Sequence, residues 1–130
     1  MLADDEGIVI DSLTYIIHQN FGESCEIASA KTGRSVIELA ESFRPDIAFM
    51  DIQMPGINGI EAMKEIKKNN ANMIFIVMSA YDKFDYAKEA INLGVLDYLN
   101  KPVNQKKIVA VVQKAMDIID ARREKRSKDL

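Results

Sequence analysis

Acidic, hydroxyl and amine side chains follow several apolar segments of this sequence, at the points where predicted strands end. They are Asp4 and Asp5, Asp51, Ser79, and Lys101 with Pro102. In open parallel sheets, ligands bind at the carboxyl ends of the strands. We therefore expect these side chains to gather at one edge of a sheet, although they lie far apart along the chain.

The expected gathering of three carboxylates limits the chemistry of the edge. Carboxylates held together repel one another, which raises their pKa values unless a cation neutralises them. Mg²⁺ fits, because it takes one or two carboxylates and keeps several waters. One carboxylate is then free to act as a nucleophile, as aspartate does when it forms an aspartyl phosphate. Lys101 would offset the charge of incoming phosphoryl oxygens, and Ser79 could donate a hydrogen bond to one of them.

The apolar runs that would position these residues read as strands. They cover residues 1–3, 25–30, 46–50, 73–78 and 95–99. The runs 46–50 and 73–78 do not alternate with polar residues, which is typical of parallel strands buried on both faces. Only three residues precede Asp4, so the first strand is either very short or starts upstream of Met1 in the native protein.

Helical segments separate the predicted strands. The first is expected from about Glu6 to about Asn20, with its apolar side facing inward: Val9, Leu13, Ile16 and Ile17. Later helices are predicted to begin at four capping residues, Thr32, Asn58, Asp82 and Asn104, and Gly94 is expected to stop the fourth helix. Five strand–helix pairs in alternation predict an α/β fold, a parallel sheet with helices on both faces.

The bulk composition fits one globular domain. The chain has 130 residues, of which 48% are hydrophobic and 28% charged. Its formal charge of −3 argues against nonspecific nucleic-acid binding by the whole domain. Cys25 is the single cysteine, so an internal disulfide is excluded and a reducing compartment is favoured. The polar tail 121–130 is interpreted as a solvated continuation of the last helix or as a truncated linker, with a basic nucleic-acid contact as the alternative.

The ordered set Asp4-Asp5, Asp51, Ser79-Ala80 and Lys101-Pro102 resembles the receiver domain of two-component response regulators, over about residues 1–120. The stretch AYDKFDYAKEAINLGVLDYLNKPV (80–103) resembles receivers attached to AraC-type helix-turn-helix output domains. The resemblance implies a flavodoxin-like (βα)5 fold with strand order 2-1-3-4-5. Residues 121–130 would then be a charged tail or a truncated linker to an output domain absent from this chain.

The same resemblance implies a role for each acid. Asp51 would accept a phosphoryl group, with Mg²⁺ as the cofactor. Asp5 would bind Mg²⁺ directly, Asp4 mostly through water, and the backbone carbonyl of Gln53 would complete the protein ligands together with Asp51. Gln53 and Tyr81 are expected to flank the crevice, where their size would affect the access of water to the acyl phosphate.

The remaining roles implied by the resemblance concern the signal. Lys101 would pair with the phosphoryl group, and Ser79 would contact it and move toward it in the active state. Tyr98 would swing inward behind Ser79, although a plain packing role is as good an interpretation of this tyrosine. The Lys101–Pro102 peptide would be cis, which only a proline at position 102 makes plausible.

These expectations describe a cytoplasmic switch rather than an enzyme, one that catalyses only phosphoryl transfer onto Asp51. Its partners would be a sensor histidine kinase and, through helix 4, strand 5 and helix 5, a second copy of itself. It would reach DNA only through an output domain, and no membrane contact is expected. Two other hypotheses remain open: a metal-dependent hydrolase that uses the same carboxylates, and a scaffold that keeps the fold without phosphorylation.

Overall fold

A computed structural model of the chain describes residues 1–80 and 84–129, and within them five strands form a parallel sheet in the order β2-β1-β3-β4-β5. The strands are β1 Leu2–Ala3, β2 Ser29–Ala30, β3 Ile47–Asp51, β4 Ile74–Ser79 and β5 Asp97–Asn100. The helices are α1 Gly7–Phe21, α2 Gly33–Phe43, α3 Gly59–Asn69, α4 Phe84–Asn92 and α5 Gln105–Asp129, with a 3₁₀ turn at Gly22–Ser24. The predicted flavodoxin-like fold and strand order are confirmed.

Each face of the sheet buries its own apolar core. Side chains alternate along β3 and β4, because successive residues of a strand point to opposite faces. Met50 and Val77 pack on the face covered by α2, α3 and α4. Phe49 and Ile76 pack on the face covered by α1 and α5. Both central strands are therefore buried on two sides, as their unbroken apolar runs predict.

Side-chain caps fix where several helices begin. Thr32 Oγ1 accepts a hydrogen bond from the backbone N–H of Ser35 at 3.1 Å. Asn58 Oδ1 accepts one from the N–H of Glu61 at 2.9 Å. Asn104 caps α5 in the same way, at 2.8 Å. These bonds satisfy N–H groups that the first turn of a helix leaves without partners, which confirms the predicted caps.

Two predictions fall on residues 81–83. These are the capping role of Asp82 and the position of Tyr81 beside the crevice, and both lie outside the described residues.

The second strand is much shorter than its predicted range of 25–30. Only Ser29 and Ala30 belong to β2, where they pair with Leu2 and Ala3. The backbone N–H of Leu2 also donates to the carbonyl oxygen of Ala28 at 2.8 Å, but residues 25–28 form no further ladder pairs with β1. Cys25 is half-buried against the α1–α5 core.

The inward face of α1 is rotated slightly from its predicted position. The buried residues are Ile10, Leu13 and Ile17, whereas Val9 and Ile16 are half-buried at the edges of the stripe. The apolar stripe of α1 is wide enough to include all five residues, and contact with α5 decides which lie at its centre.

The last helix continues without interruption through the polar tail. It spans 25 residues, and residues 121–127 are exposed. Residues 121–127 therefore continue α5 as an exposed helical segment. None of the helices in the described residues carries an apolar stretch of the length needed to span a lipid bilayer.

Candidate functional site

The carboxyl ends of four strands bring together the side chains that were predicted to meet. Asp51 is the last residue of β3 and Ser79 the last residue of β4. Asp4 directly follows β1, and Lys101 directly follows β5. The backbone N–H of Lys101 donates to the carbonyl oxygen of Ser79 at 2.8 Å, which ties the end of β5 to the end of β4. The chain thus builds the site from strand ends alone.

A single ammonium group lies between two buried carboxylates. Lys101 Nζ is 2.6 Å from Asp4 Oδ2 and 3.3 Å from Asp51 Oδ2. Asp4 is completely buried and Asp51 is 3% exposed, while the side chain of Lys101 is 13% exposed. Charges that are this close together and this well shielded from water interact strongly. Two carboxylates with one ammonium also leave one negative charge in excess.

The excess charge is visible in the pKa values. Burial, and after it the charge of Asp4, raise the pKa of Asp51 from 3.8 to about 6, against the opposing effect of Lys101. Burial lowers the pKa of Lys101, but hydrogen bonding and charge interactions with Asp4 and Asp51 outweigh this, so the pKa is raised overall. A proton or a further cation near Asp51 would therefore reduce the repulsion between the carboxylates of Asp4 and Asp51.

Asp5 and Glu6 extend the acidic group toward solvent. Ligand-type oxygens of Asp4, Asp5 and Glu6 all lie within 4.8 Å of one another, with Asp4 buried and the other two exposed. Asp4 Oδ1 accepts a hydrogen bond from the backbone N–H of Glu6 at 2.9 Å, which folds the segment back on itself. Sequence reasoning did not include Glu6 in the site, although three consecutive acids could have indicated it.

The oxygen atoms present suit a hard divalent cation. Within the described part of the chain, Asp4 Oδ2 receives no hydrogen bond of regular geometry, although the Lys101 ammonium lies beside it. Asp4 and Asp51 share this one ammonium, so a further cation would compensate the negative charge that remains. Carboxylates with open coordination positions are the ligands that Mg²⁺ uses in proteins, so the residues fit the ion that the sequence predicts.

The segment after Asp51 is held tightly against the end of β3. The backbone N–H of Gln53 points to Asp51 Oδ1 at 3.4 Å, which places the Gln53 peptide next to the predicted acceptor. The N–H of Gly59 donates to the carbonyl oxygen of Ile52 at 2.8 Å. A Cβ atom at Gly59 would overlap the carbonyl oxygen of Asp51, and one at Gly33 would overlap that of Ile57. Both glycines permit close backbone approach.

Ser79 and Tyr98 lie on the adjacent strands β4 and β5. Ser79 is buried and pairs with Asn100 in the sheet register. Tyr98 is half-buried and packs against the core under α2, α3 and α4. The peptide between Lys101 and Pro102 is cis, as the resemblance implies.

The fold and these positions agree with a known family. The model of the response regulator receiver domain matches residues 1–113. The chain belongs to that family. Among curated relatives, this receiver domain is 37% identical over 114 residues to the uncharacterized transcriptional regulatory protein YesN of Bacillus subtilis, covering 87% of the receiver and 31% of YesN. It is 33% identical over 112 residues to the transcriptional regulatory protein HptR of Staphylococcus aureus, covering 86% of the receiver and 44% of HptR.

A solved structure supports the same assignment. The REC domain of AraT, a response regulator from Geobacillus stearothermophilus, superposes with a TM-score of 0.85 and 35% sequence identity, covering 94% of this receiver and 95% of that chain. This receiver domain spans less than half the length of YesN and of HptR.

Proposed function

We propose that this receiver domain is a phosphorylation-driven switch, in which Asp51 takes a phosphoryl group from a phosphohistidine of a sensor histidine kinase. The supporting observation is the buried pair of Asp4 and Asp51 around one ammonium, with Lys101 Nζ at 2.6 and 3.3 Å from their oxygens. A pKa of about 6 leaves most Asp51 carboxylates ionised at neutral pH, and the ionised form is the nucleophile.

The reaction itself needs little covalent chemistry from the protein. A carboxylate oxygen of Asp51 attacks phosphorus, a new O–P bond forms, and the P–N bond to the kinase imidazole breaks. The imidazole keeps the electron pair of that bond and takes up a proton. Lys101 offsets the charge of the phosphoryl oxygens, and Ser79 donates a hydrogen bond to one of them. The chain accelerates only its own modification, so it is not an enzyme acting on a diffusible substrate.

The metal site in this proposal uses residues that surround Asp51. Asp5 and Asp51 would bind Mg²⁺ directly, Asp4 would contribute mostly through water, and the Gln53 backbone carbonyl would complete the protein ligands. The exposure of Asp5 supports this division, because Mg²⁺ sites in proteins usually keep several waters and are open to solvent. When bound, Mg²⁺ neutralises the carboxylates and the phosphoryl oxygens together.

The output follows from the switch residues and from the family. Ser79 and Tyr98 respond to the new charge, and the surface built from α4, β5 and α5 changes shape. That surface mediates homodimerisation, and the switch operates in the cytoplasm. We propose residues 1–120 as the receiver unit and 121–130 as a link to an AraC-type DNA-binding domain outside this chain, a reading supported by the sequence of residues 80–103 and by transcriptional regulators among the relatives.

Incubation with acetyl phosphate and Mg²⁺, followed by intact-mass measurement, tests the proposal. The wild-type protein is expected to gain one phosphoryl group, and Asp51→Asn to gain none. Asp46→Asn is a matched control, because Asp46 directly precedes the same strand at its opposite end and is exposed. Removal of Mg²⁺ with EDTA is expected to abolish labelling of the wild type.

Two results would favour the other hypotheses instead. Repeated turnover of a phosphoester without stoichiometric labelling would indicate a metal-dependent hydrolase. An NMR spectrum unchanged by beryllofluoride with Mg²⁺ would indicate a scaffold.

A further inference from the structure

A second charged concavity lies at the end of the sheet opposite Asp51. It has a volume of about 260 Å³ and is formed where the end of α2, the loop from α3 to β4, and the last turns of α5 meet. Its charged lining consists of four arginines, Arg44, Arg122, Arg123 and Arg126, and one carboxylate, Asp46. This cavity therefore carries a strong excess of positive charge on a domain whose formal charge is −3.

Among the described side chains, none of the four arginines in this cavity forms a salt bridge with a carboxylate. Arg122 donates one hydrogen bond, from Nη1 to the backbone carbonyl of Asn72 at 2.7 Å. A guanidinium has five N–H donors, so this bond fixes the orientation of Arg122 and leaves most of its donors directed elsewhere.

The backbone of Arg44 adds a second, independent observation. Arg44 caps α2 in the left-handed conformation, with φ 51° and ψ 60°, a position that usually belongs to glycine. A residue with a Cβ atom is strained there. An arginine at a strained position, beside three further arginines, indicates a use for its side chain rather than for its backbone.

We infer that this arginine pocket is a binding site for a small phosphate-bearing anion, such as inorganic pyrophosphate or the diphosphate group of a nucleotide. Planar guanidinium groups match phosphate oxygens in geometry and in charge. The volume lies just below the range of about 300–1,000 Å³ typical of sites for drug-sized ligands, so it suits one or two phosphate groups. The overall negative charge of the domain disfavours a long stretch of duplex DNA along the same surface.

The inference is tested by NMR titration of the full chain with inorganic pyrophosphate in EDTA, at constant ionic strength. Saturable shifts are expected in backbone amides of Arg44, Asn72 and Arg122. Arg44→Gly is expected to weaken binding about tenfold, as the loss of a charge-assisted contact predicts. Glycine also suits the left-handed backbone, so this variant stays folded, which urea denaturation verifies.

A second variant and a matched control complete the design. Arg126→Gln keeps a good helix former in α5 and is expected to weaken binding by a similar factor. Arg34→Gln removes an arginine from the opposite end of α2, where it pairs with Glu38, and is expected to change nothing. Because no magnesium or phosphorylation is involved, the result is independent of whether Asp51 accepts a phosphoryl group.

Four outcomes would overturn the inference. The first is a shift that grows linearly with pyrophosphate and never saturates. The second is a set of shifts confined to the surroundings of Asp51 and Lys101. The third is unchanged affinity in Arg44→Gly. The fourth is tighter binding of a duplex DNA oligonucleotide than of pyrophosphate at the same residues, which would assign the pocket to nucleic-acid backbone.

Discussion

At the scale of single residues, the position of Lys101 between two carboxylates governs both stability and chemistry. Its ammonium contacts Asp4 and Asp51, and both acids are buried. One ammonium cannot fully compensate two buried carboxylates, so the excess negative charge is expected to lower the stability of the metal-free fold.

Asp51→Asn is expected to stabilise the metal-free protein at pH 7 and above, by up to about 3 kcal/mol. The folded pKa of Asp51 is about 6, above its usual value of 3.8, because of burial and then of the charge of Asp4. A carboxyl with a raised pKa favours folding at low pH, and this contribution disappears as the pH rises through about 6. Urea denaturation in EDTA between pH 4 and 8 measures the difference.

The pH profile supplies the control for that measurement. The advantage of Asp51→Asn over wild type is expected to shrink as the pH falls from 7 to 4, since protonated Asp51 carries no charge either. Asp11→Asn, at an exposed position of α1, is expected to show no such trend. A destabilised Asp51→Asn protein at pH 8 would contradict the prediction.

Lys101→Ala is expected to destabilise the metal-free protein by about 3 kcal/mol, because two buried carboxylates then face each other without a cation. Mg²⁺ is expected to recover more stability in this variant than in the wild type, since the ion replaces the missing charge. Thermal denaturation with and without Mg²⁺ measures both effects. Lys106→Ala, at an exposed lysine in the first turn of α5, is the control, and equal behaviour of the two variants would refute the prediction.

At the scale of elements, strand ends account for what the sequence could predict about the site. Asp51 and Ser79 each end an unbroken apolar run, so their placement followed from the runs alone. The short β2 could not be predicted, because its length depends on how many residues β1 offers for pairing. The left-handed conformation of Arg44 at the end of α2 was also not predicted. It depends on the direction that the chain takes after α2, which the local sequence does not specify.

The sequence also did not predict how deeply each of the two adjacent acids, Asp4 and Asp5, is buried. Asp4 and Asp5 are adjacent and chemically equal, yet Asp4 is completely buried against Lys101 and Asp5 is exposed. Neighbouring residues after a strand point in different directions, and the sequence does not state where the strand ends to within one residue. Three-dimensional packing therefore decides which acid meets the lysine.

Gly59→Ala is expected to lower stability by about 2 kcal/mol and to slow phosphorylation of Asp51. Its Cβ would overlap the carbonyl oxygen of Asp51, so α3 or the end of β3 must move. Gly7→Ala is a matched control, because Gly7 is also the first residue of a helix near the site. The nearest atom to a Cβ there is the flexible Lys31 Nζ at 3.4 Å. Acetyl phosphate labelling rates compare the two, and equal rates would contradict a positioning role for Gly59.

At the scale of the whole molecule, exposed isoleucines distinguish two surfaces. Ile91 on α4 is 70% exposed and Ile8 on α1 is 74% exposed. With beryllofluoride and Mg²⁺, we expect a dimer through the α4–β5–α5 surface, which Ile91→Lys weakens at least about tenfold. Ile8→Lys is expected to leave dimerisation unchanged. Sedimentation velocity measures the association, and an equal loss in both variants would place the interface elsewhere.

The length of α5 has a mechanical consequence. The helix begins four residues after Lys101 and carries Arg122, Arg123 and Arg126 at its far end. About 30 Å of continuous helix separates Gln105 from Arg126. A tilt of about 5° at the first turn would thus displace the arginines by about 3 Å, enough to open or close contacts to an anion. The continuous helix α5 therefore connects the end of the sheet that carries Asp51 to the arginine pocket at the opposite end.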